Sequence, residues 1–134
     1  MLTVRRLPGV TAAITAARLR AQELTQEWDL RLRSAIPAGA DIFDAHTHLG
    51  TDIDGMRGIP EEMAAIFDAN GVSRCFTFCL DEPDRVPAFT AANDRTLAYA
   101  AASGGRFIPF IRLDLAERPH EEAARGLDLG SRGI

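Results

Sequence analysis

Three apolar runs, each followed by a helical pattern, recur along the later part of the chain. They are "DIFDAH" from residue 41, "VSRCFTFCL" from residue 72 and "RFIPFIRLD" from residue 106. Between the first two lies "GIPEEMAAIFDANG", with Pro60 at a first helical position, Glu61 and Glu62 in the first turn, and Gly71 as a stop. "VPAFTAANDRTLAYAAASGG" reads as the next helix and "PHEEAARGLDLG" as a short one, after which "SRGI" opens another strand. The order is β-α-β-α-β-α-β. The runs are near-continuously apolar instead of alternating, as a parallel sheet covered on both faces requires. Pro109 falls inside the third run and cannot donate to a ladder, which counts mildly against a central strand there.

Strands starting near residues 42, 74, 107 and 132 set a repeat of about 32 residues for the first two units, close to the roughly 31 per unit of a (β/α)8 barrel. The expected fold class is therefore α/β: a partial (β/α)8 TIM barrel, three βα units and the start of strand four, preceded by an N-terminal helix. An open three- or four-stranded α/β sheet is the alternative. Residues 1–39 are expected to be an amphipathic helical extension and residues 40–134 the barrel part. In residues 10 to 35, Ile14, Ala17, Ala21, Leu24, Trp28, Leu32 and Ala35 recur at helical steps. That stripe suits a helix packed on the body of the protein; its seven-residue step also admits a dimer helix, so a homo-oligomer stays open.

The chain has 134 residues and a net charge of −4, and its fifteen basic residues are all arginine. An acidic, lysine-free chain is poorly suited to gripping nucleic acid through its phosphates. No stretch approaches the ~18 apolar residues of a membrane span. Arg5 and Arg6 near the start resemble a twin-arginine or transit signal, but the alanine-rich run that follows passes into a charged helical pattern. Cys75 and Cys79 share one expected strand, where four residues span roughly 13 Å. A disulfide needs Cα atoms within about 7 Å, so both are expected to be reduced core residues of a cytoplasmic protein.

The chemistry concentrates in "DIFDAHTHLG", residues 41–50. By strand alternation Asp44, His46 and His48 point to one side, at the carboxyl end of the first strand, where α/β sheets and barrels bind ligands. Two imidazoles at this spacing can converge on one ion. They form half a site, because catalytic zinc takes at least three protein ligands and an open position for water. Asp44 either orients a ligand histidine through its second nitrogen or is a carboxylate satisfied by nearby N–H groups. Arg112 ends the third strand on the same side; it either holds a substrate carboxylate or pairs with Asp114 or another acid. His120, in "RPHEEA", reads as a surface or capping residue.

Other motifs carry less. Counted from Asp52, "TDIDGMRG" has Arg57 where a calcium loop needs glycine and Met63 where it needs glutamate, so it reads as a polar loop over the active face. "GLDLGSRG" follows a helix and enters a strand, the reverse of a phosphate cradle. No Gly-x-Ser-x-Gly elbow is present.

"DIFDAHTHLG" resembles the first-strand Asp-x-His-x-His motif of the amidohydrolase superfamily, and more narrowly of its amidohydrolase-2 branch, which includes decarboxylases. "AANDRTLAYAAASGGRFIPFIRLD" is similar to that branch's Asn-rich helix, Gly-Arg-Phe entry to strand three and Arg-x-Asp strand end. "GSRGI" resembles the start of its strand four. The resemblance spans roughly residues 40 to 134. It implies a barrel holding one or two divalent ions, most often zinc, with His46 and His48 as the first two ligands. It also implies a small-molecule substrate attacked by metal-activated water at a C–N or C–O bond. The family's remaining ligands and general base come from later strands, so no catalytic base is identifiable here and this portion alone is expected to be inactive. Non-oxidative decarboxylation is the alternative within the branch. A truncated, non-catalytic or interaction protein is the alternative of another class. Certain metal-dependent nucleases share the His-x-His start, but the acidic balance argues against them.

Overall fold

The structure, a computed structural model, describes residues 8–134. The twin-arginine segment lies outside the described residues. The chain divides into two compact units, meeting between Ala40 and Asp41.

In the first unit, α1 spans Pro8–Ala35. Its surface carries i,i+4 pairs Glu27–Arg31 and Asp29–Arg33, which support an exposed helix weakly. Trp28, on the apolar stripe, is 56% exposed and sits 5.1 Å under the Arg31 guanidinium.

The second unit is mixed α/β. Its elements are β1 (Ile42–Thr51), β2 (Arg57–Gly58), α2 (Pro60–Asn70), β3 (Val72–Cys79), α3 (Thr90–Ala102), β4 (Phe107–Pro109) and α4 (Pro119–Asp128). The sheet order is β2-β1-β3-β4. The β1–β3 and β3–β4 pairs are parallel, and β2 is antiparallel to the end of β1. The three main strands thus lie side by side in chain order. The last segment adds only a parallel bridge from Gly133 to Phe110.

The helices α2, α3 and α4 pack on one face of this sheet, a correction to the two-sided cover that the apolar runs implied. Leu49, Cys75 and Phe107 from the strands meet Phe67 of α2 and Ala100 of α3. Cys79 meets Phe89 and Ala92 of the α3 end. Gly126 of α4 lies against Ile111, where an added Cβ would come within 2.5 Å of the isoleucine side chain. The other face carries a train of half-buried aromatics. Phe43 is 4.7 Å from Phe76, Phe76 is 4.6 Å from Phe110, and Phe110 is 5.1 Å from Phe78.

Pro109 is accommodated by ladder parity. Phe110 donates to Thr77 of β3, whereas Ile111 donates the other way, to Gly133. Pro109 shares the parity of Ile111, so its missing donor faces the chain end, where its carbonyl instead accepts from Arg132. β2 was not foreseen. It forms because Gly58 lies against the β1 backbone: a Cβ there would come within 2.3 Å of the His48 carbonyl oxygen.

Candidate metal centre at the end of strand one

β1 runs past both histidines, and its last ladder positions against β3 hold them. Thr47 pairs with Thr77, His48 with Phe78 and Leu49 with Cys79. Thr47, Leu49, Thr77 and Cys79 are buried under the helices. His46 and His48 therefore emerge on the aromatic face, where His46 stacks 5.1 Å from the Phe78 ring.

The imidazoles converge. His46 Nε2 and His48 Nε2 lie 2.9 Å apart. His48 Nδ1 lies 3.2 Å from the Cys79 carbonyl oxygen. A carbonyl only accepts, so Nδ1–H is the donor to it, and Nε2 is the nitrogen turned toward His46. That is the arrangement in which a backbone carbonyl fixes the tautomer and direction of a ligand histidine. With metal–nitrogen bonds of about 2.0–2.1 Å, this pair subtends about 90° at a shared ion. A tetrahedral site asks for a separation of about 3.3 Å, so a small rotation of one ring reaches it. The two histidines fit two arms of a metal centre. Among the described residues, no group of three His, Cys, Asp or Glu side chains is placed to hold an ion.

Asp44 does not share their face by alternation. Between Asp44 and Thr47 β1 has two residues, where β3 has only Phe76 between Cys75 and Thr77. The extra residue is a β-bulge and shifts the parity of everything before it. Asp44 pairs with Cys75, and its Oδ1 accepts the His46 backbone N–H at 3.0 Å. It pins the bulge that turns His46 outward, while the Cys79 carbonyl takes the orienting contact with an imidazole. No side-chain motif encodes a backbone carbonyl partner for an imidazole; only the adjacency of the two strand ends reveals it.

Arg112 lies beyond the end of β4. It forms no ion pair among the described residues, with Asp114 or any other acid; Asp114 instead accepts the N–H of Ala116 at 2.8 Å. Its guanidinium lies 4.8 Å from the Phe89 ring centre. Its charge is felt at Cys79 and at Asp52, which puts it at the same end of the sheet as the histidines. No hydrogen bond joins it to either of them. Its backbone is gripped on both sides by Asn93. Asn93 Oδ1 accepts the Arg112 N–H, and Nδ2 donates to the Arg112 carbonyl, each at 2.9 Å. Asn93 also donates to Glu122, at 2.8 Å. The sequence reading missed this clamp, whose signal is a polar residue on the buried side of α3.

The cysteines offer no thiolate. Burial pushes Cys79 up to about 12 and Cys75 to about 11, so both remain protonated thiols at neutral pH. Both are free and buried. His120 is exposed, on the first turn of α4. The "TDIDGMRG" loop is organised by Asp52, which accepts the N–H groups of Asp54 and Asp81, each at 3.2 Å. No helix among the described residues is long and apolar enough to cross a membrane. No protein-family model, curated protein or solved structure matches the chain.

Proposed function

We propose that this chain carries part of a metal-dependent hydrolase of the amidohydrolase type, with His46 and His48 as two ligands of a divalent ion, zinc first among the candidates. One observation carries the reading: two imidazole Nε2 atoms 2.9 Å apart at a strand end, one of them presented by a backbone carbonyl. The architecture supports it. Parallel strands adjacent in chain order, with every helix of the unit on one face, are the arrangement that the wall of a (β/α)8 barrel would have. A doubly wound sheet would place helices on both faces. In that reading the aromatic face is the barrel interior.

The residues take distinct parts. A bound ion would acidify a water ligand and polarise a carbonyl. His48, held at Nδ1, and His46, turned outward by the Asp44 bulge, would hold it. Arg112, without an acid partner among the described residues, would receive a carboxylate of a small-molecule substrate bidentately. That same free guanidinium favours decarboxylation of an organic acid as the second reading. Either chemistry requires at least one more protein ligand and a general base, which exposed His120 does not supply.

Calorimetric titration of the chain with zinc chloride tests the assignment. Uptake should vanish in the His46→Ala/His48→Ala double variant and persist in His120→Ala. Equal zinc uptake by the double variant and the parent would remove the metal centre from consideration.

A further inference from the structure

The histidine pair supplies two ligands, and among the described residues no third is placed beside them. The chain holds three histidines, and the third, His120, sits on the first turn of α4, on the helical side of the sheet. Cys75 and Cys79 are buried under the helices. The acids at that end of the sheet are engaged elsewhere. Both carboxylate oxygens of Asp52 accept backbone N–H groups, from Asp54 and Asp81. Asp81 pairs with Arg85 at 3.1 Å, Glu82 pairs with Arg95 at 2.7 Å, and Asp114 accepts the Ala116 N–H. Asp44 accepts the N–H of His46 itself. A zinc ion held by protein alone takes four ligands.

The pair also stands on an open apolar surface. His46 is exposed, and Phe43, Phe76, Phe78 and Phe110 on the same face are half-buried. Two such faces opposed across a twofold axis bring two imidazoles each to one point. That makes four, the number a closed site takes. Facing sheets lie about 10 Å apart, so their midplane is about 5 Å above each, within the reach of an imidazole. Apolar contact alone is too small to hold such a pair. β3 has eight residues, and three strands of that length would cover roughly 370 Å², against about 800 Å² per partner in a stable interface. The ion has to supply the difference.

We propose that two copies of this chain share one zinc ion, His46 and His48 of each completing a four-imidazole site with the aromatic faces opposed. The second copy stands where the remaining strands of a barrel would. This rests on the assignment of His46 and His48 as ligands and adds the source of the missing ones. Each chain alone is a half-site, and the pair forms only with the metal. A closed site keeps no position for water, so the paired form is structural and does not hydrolyse.

The test is sedimentation velocity of the full chain in EDTA and in zinc chloride, with bound zinc counted after desalting. In EDTA the chain should run as a monomer. Zinc should double its mass at one ion per two chains, and EDTA should reverse the change. His46→Ala should weaken zinc binding at least about tenfold, the least that loss of even an outer partner of a ligand costs. Phe76→Arg, which opposes two cations across the paired faces, should weaken pairing at least about tenfold. Should Phe76→Arg fail to fold, the zinc count and the EDTA reversal still decide. One zinc per chain at unchanged mass would overturn the sharing and leave the histidine assignment standing. A pair that survives EDTA would also overturn it. Zinc uptake and mass doubling that persist in His46→Ala/His48→Ala would remove the histidine assignment as well.

Discussion

The two faces of the sheet come from the same strands and follow different rules. On the helical face Leu49, Cys75 and Cys79 are wholly buried, and Asn93 ties the Arg112 backbone to Glu122. On the other face Phe43, Phe76, Phe78 and Phe110 are only half-buried, and His46 is exposed. Close packing on one side holds the strands in register. The looser side is thereby free to carry two converging imidazoles, whose positions depend on β1 and β3 and on no helix. The scaffold and the site are separated by the thickness of one sheet.

The largest effect should come from the packed face. Leu49→Ala is expected to cost about 3–4 kcal/mol in urea unfolding, and Phe76→Ala, larger but half-buried, less than half as much. Comparable losses would mean that the aromatic face is covered in solution. Next comes the Asn93 clamp. Asn93→Ala strips both backbone groups of Arg112 and one oxygen of Glu122, and should cost about 2–3 kcal/mol.

A pH dependence of smaller size follows from Glu122. Burial would raise it, but hydrogen bonds from Arg125, Asn93 and Thr90 outweigh burial and hold it below the ordinary glutamate value of 4.5. A carboxyl depressed in the folded state adds stability above its unfolded value and loses it as pH falls through the folded one. The melting temperature of the parent should therefore exceed that of Glu122→Gln at neutral pH, and the gap should close on acidification below about 4.5. A constant gap would show that the carboxylate's charge contributes nothing. Smallest of all, His46→Ala should shift stability by less than about 0.5 kcal/mol, as for an exposed side chain away from the packed core. A larger loss would make His46 part of the scaffold.

Much of the element order was legible. Gly71 stops α2 and Pro60 and Pro119 open helices where the sequence placed them, because these residues act through their own backbone. The strand ends were less legible. The first was read to residue 46 and runs to Thr51, because β2 and β3 hold its end. The third was read over nine residues and is three long, because its far end pairs with a single bridge and a side chain, Asn93. Within the candidate site, the histidine pair stood out from its spacing. The face of Asp44 did not, since one bulge residue reverses parity and no composition signals it.

What the sequence by itself determined is the alternation of strands and helices and the placing of two histidines near a strand end. Both follow from local periodicity and backbone preference. What only the tertiary structure decided is which face each side chain took, that Cys79 presents its carbonyl to His48, and that Asn93 takes both backbone groups of Arg112. These depend on register between segments some thirty residues apart in the Cys79–His48 pair, where the spacing is 31, and 19 apart in the Asn93–Arg112 pair. Register is set by the packing of the whole layer, which no single segment encodes.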